Sequence, residues 1–138
     1  MPVHDPAERA TRIPMIAIVD DDEDVRVATE NLILSYGLDA HTFSSVEAFL
    51  ASPCASKTDC VITDMQMPGM SGLDLQATLR QLGCDVPMVF VTAFPEERLQ
   101  RQAEAFGALG FLTKPFDTRS LMACVDTAIG RMGGRMPD

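Results

Sequence analysis

Five acidic residues run without a break from Asp20 to Asp24, directly behind the apolar stretch Met15 to Val19. Asp64 closes a second apolar run that begins at Cys60, Thr92 closes a third that begins at Met88, and Lys114 follows a fourth that begins at Leu109. Carboxylates gathered in one place repel unless a hard cation neutralises them. Mg2+ suits such a set, because it takes oxygen ligands, keeps several waters and bridges a carboxylate to a phosphate. Lysine offers a compact positive charge for one phosphate oxygen, and a threonine hydroxyl can donate to another. Lys114 is one of only two lysines among 11 basic residues, which argues against its being surface filler. The chain carries neither a GxxxxGK[ST] nor a GxGxxG loop, so it lacks a nucleotide cradle and the phosphoryl group is expected to be covalent. A carboxylate attacking phosphorus forms an aspartyl phosphate, with metal and lysine offsetting charge on the transferring group. Asp64 is the candidate nucleophile, and Asp20 and Asp21 are the candidate metal holders. Asp22, Glu23 and Asp24 read as a solvated helix start.

These residues act together only if the fold gathers them. Short apolar runs at Met15 to Val19, Leu38 to Phe43, Cys60 to Thr63, Met88 to Thr92 and Leu109 to Thr113 predict five strands, several apolar throughout, as strands covered on both faces are. Between them, helical spacing predicts helices over Asp24 to Tyr36, Ser45 to Ala51, Leu73 to Leu82, Pro95 to Phe106 and Thr118 to Arg131, three of them stopped by Gly37, Gly83 and Gly107. The fourth is expected to carry Pro95 in its first turn. Strict βα alternation implies parallel strands, right-handed crossovers and an α/β doubly wound sheet with helices on both faces. In such sheets the ligand site lies beyond the carboxyl ends of the strands, near the switch point. Asp20, Asp21, Asp64, Thr92 and Lys114 all fall on that rim.

The 138 residues suit one domain, and 46% apolar against 22% charged residues is enough for a packed core. With 20 acids against 11 bases the net charge is −9, which disfavours direct nucleic-acid binding. No apolar run is long enough for a membrane span, and MPVHDPAERATRIPM is no secretory signal, so a cytoplasmic location is expected. Residues 1–13 and 132–138 are expected to be a flexible extension and tail around a domain at 14–131. Cys54, Cys60, Cys84 and Cys124 lack the paired spacing of a zinc site and read as free thiols. His4 and His41 are too isolated to be ligands or phosphodonors.

The stretches IAIVDDDEDVR, VITDMQMPGMSGLDL, VFVTA and GFLTKPF, in this order and spacing, resemble the receiver domain of two-component response regulators, a CheY-like flavodoxin fold with strand order 2-1-3-4-5. The resemblance spans about residues 14 to 130. It implies that Asp64 accepts a phosphoryl group from a phosphohistidine on a sensor histidine kinase or a histidine phosphotransfer protein. It also implies that Mg2+ is held by Asp20, Asp21, Asp64 and the Gln66 backbone carbonyl, and that Lys114 pairs with the phosphoryl oxygens. Thr92 and Phe111 take the switching positions, although Phe111 also reads as a plain core aromatic. Gln66 and Phe94 stand where relatives tune water access, and the Lys114–Pro115 bond is expected to be cis. The LDLQATLRQLG run resembles receivers of FixJ-type regulators, whose phosphorylated forms dimerise through the fourth helix, fifth strand and fifth helix, the expected output face toward a downstream effector.

Two other classes compete. An Mg2+-dependent phosphohydrolase would use an Asp nucleophile, but Asp64-Met65-Gln66 lacks the second acid such enzymes need for acid/base work. A degenerate receiver would bind partners without phosphorylation, and the presence of every key residue counts against it.

Overall fold

The computed structural model describes residues 13–131. In chain order the elements are β1 (Met15–Val19), α1 (Glu23–Ser35), β2 (Asp39–Phe43), α2 (Val46–Ala51), β3 (Cys60–Asp64), α3 (Gly72–Gln81), β4 (Met88–Thr92), α4 (Glu97–Ala105), β5 (Gly110–Thr113) and α5 (Thr118–Arg131). The five strands form one parallel sheet of order β2-β1-β3-β4-β5. This is the flavodoxin-like doubly wound architecture expected from the alternation and the resemblance. The extension and tail, and with them His4, lie outside the described residues apart from Ile13. No helix among the described residues is long and apolar enough to cross a membrane.

Alternation along the strands divides the core in two. Ile16, Ile18, Cys60, Ile62, Val89 and Val91 point to the face covered by Ile33 of α1 and by Leu121, Met122, Val125 and Ala128 of α5. Ala17, Val19, Val61 and Phe90 point to the opposite face, covered by Val46 and Phe49 of α2, Leu75 and Leu79 of α3 and Ala103 of α4. Full burial of one such side chain contributes about 1.5–3 kcal/mol. β1, β3 and β4 are buried along their whole length, whereas the edge strands β2 and β5 are partly exposed. The three central strands therefore give a rigid base to whatever stands at their ends.

The element boundaries carry chemistry. Asp22 caps α1 by accepting from the backbone N–H groups of Asp24 and Val25, so this acid is spent on the helix start. Gly37, at φ +82°, follows the end of α1 and takes the left-handed conformation that a side chain would strain. α4 begins later than its proline suggested: Glu96 is extended (φ −129°, ψ 125°), so the helix starts at Glu97 and Pro95 stands two residues ahead of it. A 3₁₀ turn over Pro53–Lys57, not anticipated from periodicity, is capped by the Ser52 side chain. At Gly110 of β5 a β-carbon would stand 2.6 Å from Cys124 Sγ, so the α5 thiol occupies the notch that this glycine leaves.

Cys60 is fully buried in β3. Burial, reinforced by Cys124 and Asp59, pushes its thiol up to about 12. Thiolate is the reactive form, so iodoacetamide at about pH 8 should label the part-exposed Cys54 and Cys84 but leave Cys60 unmodified until the protein unfolds. The folded chain also keeps a proton that an ordinary thiol releases near 9.0. The resulting stability is full below that pH and is lost as pH rises toward about 12. Urea titrations across this range should show a shallower alkaline loss in Cys60→Ala.

Candidate functional site

The sheet reverses direction of winding between β1 and β3, and both strands deliver an aspartate there. Asp20 follows β1, its N–H donating to the Phe43 carbonyl at the end of β2 (3.1 Å). Its own carbonyl accepts from Arg26 Nη1 (2.7 Å), and its carboxylate Oδ1 accepts from Asp22 N (2.9 Å). The side chain is 1% exposed. Asp64 is the last residue of β3, paired with Val91 of β4, and its Oδ1 accepts from Gln66 N (3.1 Å). Asp21 is exposed at the mouth. One carboxylate oxygen from each of Asp20, Asp21 and Asp64 lies within 4.8 Å of the others.

Lys114 reaches this cluster from the end of β5. Its backbone N–H donates to the Thr92 carbonyl (2.8 Å), extending the β4–β5 ladder, and its bond to Pro115 is cis. Its Nζ stands 2.9 Å from Asp20 Oδ2 and 3.1 Å from Asp64 Oδ2. Only the Asp64 contact has hydrogen-bond geometry. Asp20 Oδ2 is thus buried beside a positive charge with no directed donor. Desolvation, partly opposed by the Gln66 and Lys114 hydrogen bonds and reinforced by Asp20, raises the Asp64 carboxyl above its ordinary value. Desolvation works to lower Lys114, but the Asp64 hydrogen bond and the adjacent Asp20 and Asp64 carboxylates together outweigh it and hold the ammonium above its ordinary value.

Three carboxylates facing one ammonium leave an excess of negative charge. An all-oxygen donor set with a buried, undirected Asp20 Oδ2 is what a hard divalent cation requires. The site residues named from sequence fall as follows. Asp20, Asp21, Asp64 and Lys114 come together. Thr92 is buried at the end of β4, its Oγ1 accepting from Phe94 N (3.1 Å). Gln66 is exposed beside Asp64, and Phe94 is 75% exposed on the following loop. Phe111 lies opposite Phe90 in the ladder and packs part-buried on the α2–α3–α4 side of the sheet.

Other contributors were not anticipated. Arg26 clamps the Asp20 carbonyl; its signal was a lone base near the N-terminus of α1, against the helix dipole. Gly72 opens α3 where a β-carbon would run into the Asp64 carbonyl oxygen, and only glycine allows that approach. Glu96 accepts from the Gln66 side chain, a contact between positions 30 apart that no local pattern signals.

A doubly wound sheet that gathers three aspartates and a lysine at its switch point has the build of a receiver-type signalling domain. Residues 16–126 match the response regulator receiver domain family, and the chain belongs to that family, the receivers of two-component systems. It is 37% identical over 118 residues to the response regulator protein TodT of Pseudomonas putida, an alignment covering 86% of this chain and 52% of TodT. It is 34% identical to the transcriptional regulatory protein FixJ of Azorhizobium caulinodans, covering 89% and 59% of the two chains. The crystal structure of a response regulator receiver protein from Burkholderia phymatum is similar at a TM-score of 0.73 and 36% identity, covering 88% of this chain and 99% of that one. The chain spans between half and three-fifths of the length of these curated relatives.

Because the raised Asp64 pKa means that the folded state resists its charge, ionisation of Asp64 destabilises the metal-free fold as pH rises past its ordinary value of 3.8. In chelator at neutral pH, Asp64→Asn should therefore melt above the unmodified chain. Mg2+ should raise the melting temperature of the unmodified chain and have little effect on Asp64→Asn, as differential scanning fluorimetry would show.

Proposed function

We propose that the chain accepts a phosphoryl group on Asp64 from the phosphohistidine of a sensor histidine kinase or a histidine phosphotransfer protein, and that this changes its α4/β5/α5 surface. The observation that carries the reading is the Lys114 ammonium, 2.9 Å from Asp20 and 3.1 Å from Asp64 at the sheet's switch point. An Asp64 oxygen attacks phosphorus, the N–P bond of the donor breaks as the new O–P bond forms, and the imidazole leaves with its electron pair and takes up a proton. Lys114 is already in place to pair with the phosphoryl oxygens. Asp20, Asp21, Asp64 and the Gln66 carbonyl would hold Mg2+, which when bound neutralises charge on the transferring group.

A phosphoryl group on Asp64 adds negative charge beside Lys114 and Thr92 and competes with Asp20 for the ammonium. The Thr92 hydroxyl moves toward the new acceptor, and the space it leaves behind β4 is available to Phe111. Phe111 and Leu99 pack on the same cluster as Ala103, so that change reaches α4 directly. Such a shift of population between two surfaces is the signal. FixJ is a transcriptional regulator, and the output assigned here is delivered through an effector unit of that kind, with phosphorylation-dependent self-association of the same face as its route. The excess of acids over bases disfavours direct contact between this unit and a phosphate backbone.

Incubation with acetyl phosphate and Mg2+ should add the mass of one phosphoryl group to the unmodified chain and none to Asp64→Asn. No gain in the unmodified chain would leave it a phosphorylation-independent binding module, and rapid turnover of unrelated phosphate esters would make it a hydrolase. Phe94 is exposed and donates its backbone N–H to Thr92 Oγ1, and in this reading its bulk slows the approach of water to the aspartyl phosphate. Phe94→Ala should shorten the life of the phosphorylated form, and an unchanged rate of inorganic phosphate release would remove Phe94 from this role.

A further inference from the structure

The loop between β3 and α3, residues 65–71, is pinned at several points. At its base Gly72 N donates to the Met65 carbonyl (3.1 Å), and near its far end Met70 N donates to Glu47 Oε2 of α2 (3.3 Å). Beside Asp64, Gln66 is held twice: its backbone N–H donates to Asp64 Oδ1 (3.1 Å) and its side-chain Nε2 donates to Glu96 Oε2 (3.3 Å). Glu96 is unusual as the acceptor. It occupies the N-cap position of α4 with the extended backbone of a capping residue, yet makes no capping hydrogen bond. Its other oxygen faces Arg98 Nη2 at 3.7 Å. The first N–H groups of α4 therefore forgo the side-chain acceptor that a cap normally supplies, and the carboxylate spans the pocket rim instead.

We infer that Glu96 is a positioning residue which draws the Gln66 amide toward α4, keeps it off the Asp64 carboxylate, and so sets how fast the phosphorylated chain loses its phosphoryl group. The inference rests on the phosphoacceptor reading of Asp64. In that loss a water oxygen attacks phosphorus and the bond from phosphorus to the Asp64 oxygen breaks. The carboxylate is restored, and the water's protons leave with inorganic phosphate or pass to solvent. With the Glu96 contact cut, Gln66 remains anchored to Asp64 through its backbone, so its freed amide searches the space above that carboxylate rather than drifting away. An amide there donates to phosphoryl oxygens and covers the approach of water. One hydrogen bond of ordinary net strength corresponds to roughly a three- to ten-fold slower release.

Two measurements on the full chain test this. In the unphosphorylated protein, Glu96→Ala should shift the Gln66 side-chain amide resonances, while Glu47→Ala, which cuts the other tether, leaves them in place. After phosphorylation with acetyl phosphate and removal of excess donor, Glu96→Ala should release inorganic phosphate roughly three- to ten-fold more slowly. Glu96→Gln, which keeps an acceptor oxygen, should stay near the unmodified rate. In a Gln66→Ala background, Glu96→Ala should change nothing. Unmoved Gln66 resonances, an unchanged release rate in Glu96→Ala, or an effect that survives without the Gln66 side chain would each overturn the inference. A chain that takes up no phosphoryl group at all overturns the phosphoacceptor reading instead, and the resonance measurement still decides whether the tether exists.

Discussion

One ammonium between two buried carboxylates is the constraint on which this domain's organisation turns. Lys114 comes from the edge strand β5, Asp20 from β1 and Asp64 from β3, so a single charged contact reaches across most of the sheet. It does not cancel the charge it meets. Desolvating two carboxylates against one cation, with a third at the mouth, is costly unless further positive charge arrives, and the stability lost at the rim is offset by two apolar layers that enclose β1, β3 and β4 completely.

Much of this arrangement was legible before any coordinates. The apolar runs marked the five strands, and the rule that ligands bind beyond strand carboxyl ends converts four distant positions, Asp20, Asp64, Thr92 and Lys114, into one site. What periodicity could not show is side-chain hydrogen bonding across tertiary distance. Pro95 suggested the start of α4, yet the helix begins at Glu97, because an extended Glu96 precedes it and its carboxylate is engaged by Gln66. The 3₁₀ turn over Pro53–Lys57 escaped for a related reason: it is held by Ser52 and Thr58 rather than by a hydrophobic face. Phe111 shows the opposite limit, since an aromatic opposite Phe90 in a parallel ladder is at once core and candidate switch.

The loop that carries Gln66 joins these two themes. It runs between α2 and the start of α4, held by a glutamate on each side, and its base rests on the backbone approach that Gly72 permits. Three separate elements thus restrain the loop that follows Asp64, which explains how a segment without regular structure can hold a defined geometry at a buried charge.

The notch at Gly110 bears on how motion spreads. The Cys124 thiol sits where every other residue type would place a side chain, so α5 is keyed to β5 at one point along its length. Sliding α5 by a turn in either direction would present Leu121 or Ala128 to a space sized for sulfur. β5 and α5 are therefore held in register with each other, and a relative shift on this side of the sheet is easier at the seam between that pair and α4.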